Sequence, residues 1–86
     1  MVVPLKYDKQ IAKIIRQTLR KPCKFTMDIV EHFKYTEIRV YENEIMSYNE
    51  TMQTSIMKYL VDVESTMKAY GINVFIGGVP GDPPRR

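Results

Sequence analysis

The sequence predicts an α+β domain, a small βαββαβ ferredoxin-like sandwich with an antiparallel sheet and two helices on one face. Three observations predict it. Residues 9–21 and 49–70 repeat apolar side chains at helical spacing, whereas residues 23–30, 36–42 and 72–77 alternate at period two. Each alternating segment has one apolar face, which suits a sheet covered on one side only. Finally, a chain of 86 residues has room for a single core. Residues 1–76 are therefore read as one domain and residues 77–86 as a flexible Gly/Pro-rich tail.

In chain order, VVPLKY begins the pattern. Val3 and Leu5 alternate with Pro4 and Lys6, and Pro4 restricts the segment to an edge or to the first residues of a strand. Asp8 is placed to cap the following helix. Ile11, Ile14, Ile15 and Thr18 then share one face, and Pro22 stops the helix because the residue before a proline disfavours helical geometry. In CKFTMDIV, Cys23, Phe25, Met27 and Ile29 alternate with Lys24, Thr26, Asp28 and Val30, as in a strand with one buried face. A competing pattern makes Thr26 a cap and MDIVEHF a short helix. It leads to the alternative fold, a helix-turn-helix or winged helix.

TEIRVYE is read as a strand with Ile38 and Val40 inward and Glu37, Arg39 and Tyr41 outward. Asn49 caps the longest helix, whose stripe is Met52, Ile56, Tyr59, Leu60, Val63, Met67 and Tyr70, and Gly71 ends it. INVFIG follows as a last strand with Ile72, Val74 and Ile76 inward. The final ten residues, GGVPGDPPRR, hold three Gly and three Pro, too little apolar surface to offset their ordering entropy.

Charge divides the chain. Residues 1–24 hold seven Lys or Arg against Asp8 alone, while residues 25–84 hold four against nine acids. On the first helix Lys9, Lys13, Arg16 and Arg20 recur at i, i+4, i+7 and i+11, within an arc of about 60° opposite the isoleucines. Such a stripe can neutralise phosphates without reading sequence, or it can be the solvated side of an ordinary helix. Mixed faces usually interleave Glu for i, i+4 pairing, and none stands here. The expected nucleic-acid-binding residues are Lys9, Lys13, Arg16, Arg20, Lys21 and Lys24, with Arg39 and Tyr41 on the open sheet face. There Lys6, Thr26, Asn73 and Phe75 would lie beside them, and aromatics among cations can stack bases.

Catalysis, metal binding and cofactor binding are not expected. His32 and Cys23 are the only histidine and cysteine, and neither has a partner at the spacing of a triad or a metal site. Gly77, Gly78 and Gly81 open no phosphate loop, and Glu42, Glu44 and Glu50 are read as solvated loop acids. No apolar run suggests a leader or a membrane span, so a cytoplasmic protein is expected. The function read from these features is a small non-enzymatic nucleic-acid-binding protein, expected to form a homo-oligomer. The alternative is a protein-interaction or assembly subunit, such as an adaptor or an inhibitor from a virus or mobile element. In it Met46, Met52, Met57 and Tyr48 would form an adaptable contact surface.

Overall fold

A computed structural model of the chain describes residues 7–84, so the expected first strand lies outside the described residues except for Tyr7. The elements run α1 (Lys9–Thr18), β1 (Asp28–Glu31), β2 (Thr36–Tyr41), α2 (Glu42–Met46), α3 (Glu50–Ala69) and β3 (Val74–Val79). The protein is an α+β domain, and its described residues form a three-stranded mixed sheet in the order β1-β2-β3.

Both long helices begin where their caps predict. The Asp8 carboxylate accepts from the Ile11 N–H at 2.9 Å, and the Asn49 side-chain oxygen from the Met52 N–H at 2.8 Å. At the far end of α3, Gly71 adopts φ +81°, which a side chain would resist. The Gly71 N–H donates to the Lys68 carbonyl at 2.9 Å and the Ile72 N–H to the Met67 carbonyl at 3.0 Å. This is the Schellman pattern, and the apolar pair that accompanies it, Met67 and Ile72, is fully buried. By contrast, α1 stops at Thr18, earlier than Pro22 demands. Leu19 turns to an extended conformation (φ −122°, ψ 112°) and packs its side chain against the core.

The first described strand is shorter than its alternation suggests. Among the described residues, 23–27 join no ladder; polar groups of Lys24 and Thr26 are taken instead by α2, a segment expected to be loop, and by the turn after it. Glu44 accepts from the Thr26 N–H at 2.5 Å through one carboxylate oxygen and from the Thr26 hydroxyl at 3.1 Å through the other. The Tyr48 hydroxyl donates to the Lys24 carbonyl. Phe25 between them is buried and meets Tyr59 edge-on, with ring centroids 5.9 Å apart. Glu44→Ala is therefore expected to cost about 1.5–3 kcal/mol, the range for hydrogen bonds to a charged group. A urea melt checks it, and a change within about 0.5 kcal/mol, ordinary for a surface site, would mean that the clamp contributes nothing.

β1 pairs antiparallel with β2, Ile29 opposite Ile38, which removes the helix-turn-helix alternative because residues 28–31 are strand. β2 and β3 pair parallel, Thr36 with Val74 and Ile38 with Ile76. The expected fully antiparallel sheet is thereby corrected. A split βαβ arrangement inserts another strand between these two, and their direct ladder leaves no room for it. Parallel neighbours need a crossover of at least about a dozen residues, and α2 with α3 supplies it. β3 also runs to Val79, so Gly77 and Gly78, expected in the tail, pair with Arg39 and Val40. A ladder uses backbone groups and does not require the side chains these glycines lack.

The core lies between the sheet and the helices. Ile38, Ile56, Val63, Met67 and Ile72 are fully buried, and Ile11 and Ile15 bring α1 onto the same cluster. Among the described residues, no helix is long and apolar enough to cross a membrane.

Candidate nucleic-acid interface

Burying Ile11 and Ile15 forces the opposite side of α1 outward. Lys9, Lys13 and Arg16 stand along that side and are exposed. Arg20 and Lys24 are exposed as well, although the early end of α1 places Arg20 on the connection that follows the helix. Among the described residues, no carboxylate lies within 4 Å of any of these five cations; the ion pairs are formed by His32, Arg39 and Lys68 instead.

The other expected contacts are placed differently. The Lys21 ammonium donates to the Phe25 carbonyl at 2.8 Å and stands 4.7 Å from the Phe25 ring centroid, which ties it to the connection. Arg39 and Tyr41 lie on the sheet face away from the core. The Arg39 guanidinium forks onto both oxygens of Glu37, each at 3.2 Å. The Tyr41 ring, expected outward, is buried, and its hydroxyl donates to Asp28 at 2.5 Å. A base cannot stack on a covered ring, so this face offers no Tyr41 platform. The register explains the hydrogen bond: Asp28 opposes Arg39, which puts it diagonal to Tyr41 on the same face.

This outer face carries a small polar network. His32 Nε2 lies 2.7 Å from Glu37 Oε1, and the imidazole stacks on Tyr35 at 4.5 Å between centroids. Hydrogen bonding from Arg39 first, and from His32 second, holds the Glu37 carboxyl below its ordinary value of 4.5. A depressed folded-state value means that the stabilisation is complete above the unfolded value and is lost as pH falls through the folded one. Melting temperature should thus fall on acidification below about 4.5, and more steeply in the parent protein than in Glu37→Gln. Parallel acid profiles would show that Glu37 stabilises nothing.

Cys23 is free and half-buried, and its thiol, hydrogen bonding with Tyr48, raises the Tyr48 phenol above its usual value ahead of burial. Among the described residues, no three His, Cys, Asp or Glu side chains gather to hold a metal.

One feature that helical spacing does not reveal is an open cleft of about 240 Å³ where the connection after α1 crosses α3. The connection contributes Leu19, Arg20 and Pro22 to its lining, and α3 contributes Ser55, Lys58 and Asp62. Periodicity puts Lys58 on the polar side of α3, but only tertiary packing brings it opposite Arg20. No protein-family model matches this chain, and no curated protein or solved structure matches it.

Proposed function

We propose that this chain is a small non-enzymatic nucleic-acid-binding protein that holds the phosphate backbone through Lys9, Lys13 and Arg16, continued by Arg20 and Lys24. The observation that supports it most is the freedom of these cations. The chain has ten acids, yet none lies within 4 Å of the stripe among the described residues. Unpaired lysines and arginines on one surface release counterions when they meet a polyanion. Binding through three to five phosphates gives a log–log salt dependence with a slope of about −2 to −4.5, the smaller values for single strands. Fluorescence anisotropy with labelled DNA and RNA strands measures it. Absence of binding at about 20 mM salt, where such contacts are strongest, ends this reading.

A second reading, a protein-interaction subunit, is favoured by Phe33 and Phe75, which are 86% and 59% exposed. Met46 and Met57 are exposed too, whereas Met52 and Tyr48 pack against the core. A stoichiometric protein partner that survives nuclease treatment would select this reading over the first. A single cysteine that makes no disulfide suits a reducing compartment in either case.

A further inference from the structure

The cleft between the α1 end and α3 combines cations with two kinds of group that a lone phosphate does not need. Arg20 and Lys58 offer positive charge from its two walls, and both are exposed. Leu19 and Pro22 are half-buried and supply apolar surface. Asp62 stands one helical turn beyond Lys58 on α3, and among the described residues no cation lies within 4 Å of its carboxylate. A carboxylate repels phosphate and accepts N–H donors, so this half-buried acid suits a ligand that brings donors as well as an anion. Its natural complement is a pair of adjacent N–H donors.

Size narrows the choice. At about 240 Å³ the cleft falls below the roughly 300–1,000 Å³ of sites for drug-sized ligands and cofactors. One flipped-out base with its phosphate is the part of a nucleic acid that brings a flat apolar face, an anion and a donor edge together. Bases are read in this way only where they are unstacked, in single strands, loops and ends. Guanine is the base whose Watson–Crick edge presents two neighbouring N–H donors, N1–H and the exocyclic amine, which a single carboxylate can accept together.

We propose that this cleft takes one unpaired guanine nucleotide of a single strand, its phosphate between Arg20 and Lys58, its base against Leu19 and Pro22, and its donor edge on Asp62. The inference rests on the nucleic-acid reading and adds to it a preference for single strands and a point of base selection. The basic stripe supplies affinity along the backbone, and the cleft discriminates at one position.

The experiment uses the full chain and thymine strands of about twelve nucleotides, within the usual site size, each with one central guanine, inosine or adenine. The guanine strand should bind about tenfold tighter than the adenine strand, the step expected of a bidentate base contact. Inosine, which lacks the exocyclic amine, should fall between them. Asp62→Ala should erase the difference without weakening the adenine strand, and Lys58→Ala should weaken all three strands alike. Melting curves of both variants confirm that the helix is retained. Equal binding of the three strands, unchanged by Asp62→Ala, overturns the guanine site and leaves the basic stripe standing. Binding to none of them overturns both.

Discussion

If the basic stripe holds phosphate, replacing Lys9, Lys13 and Arg16 together by Glu should lower affinity for DNA and RNA by at least about a hundredfold at moderate salt. On the proposed reading the parent would meet phosphate with three positive charges there, whereas the variant presents three negative ones. Single alanine substitutions have a finer signature. Each removes about one unit from the salt slope and weakens all sequences alike, because a phosphate contact carries no base information. Stability changes little, because all three side chains are exposed on the side of α1 away from Ile11 and Ile15. Glu at position 9 even faces the favourable end of the helix dipole, while Glu at position 16 faces the unfavourable one, each by a few tenths of a kcal/mol. Anisotropy titration beside a thermal melt separates the effects. Unaltered affinity in the triple variant would identify the stripe as no more than the wet side of a helix.

Ile56→Ala gives the largest loss of stability. Ile56 is 0% exposed in the first half of α3 and belongs to the core cluster that also holds Ile38, Leu60 and Val63. Deleting its buried carbons forfeits their transfer free energy and leaves a cavity, together about 2–5 kcal/mol. A domain of this size has about 4–13 kcal/mol in all, so the variant retains only part of its folded stability. Urea unfolding should show a lower midpoint with an unchanged slope. Met57→Ala, on the neighbouring but exposed position of the same helix, should stay within about 0.5 kcal/mol. Equal midpoints for the two variants would place the core elsewhere.

Features governed by near neighbours along the chain were legible in the sequence. Asp8, Asn49 and Gly71 act within one turn of their own positions, and the alternation of Ile38 and Val40 marks the covered face of β2. What the sequence withheld depends on partners far along the chain. Alternation assigns a residue to a face but not to a neighbouring strand, so the β2–β3 adjacency was invisible. Glu44 of α2 and Tyr48 just after it reach Thr26 and Lys24, and five residues of helix carry too little periodicity to announce themselves. The candidate site divides in the same way. The stripe on α1 follows from spacing alone, while the burial of Tyr41 and the meeting of Arg20 with Lys58 require the assembled fold.

The parallel ladder also sets the order in which the chain can fold. Thr36 pairs with Val74, thirty-eight residues later, so that contact forms only after a long loop has closed. Loop closure is an entropic barrier that must be crossed before the contact contributes anything. α3, capped at both ends by its own neighbours, can form on the submicrosecond scale of isolated helices and shortens the span that has to be searched. The β1–β2 hairpin is equally local. Docking β3 onto β2 is then expected to be late, its contacts forming after the barrier, and substitutions in β3 should accelerate unfolding more than they slow folding.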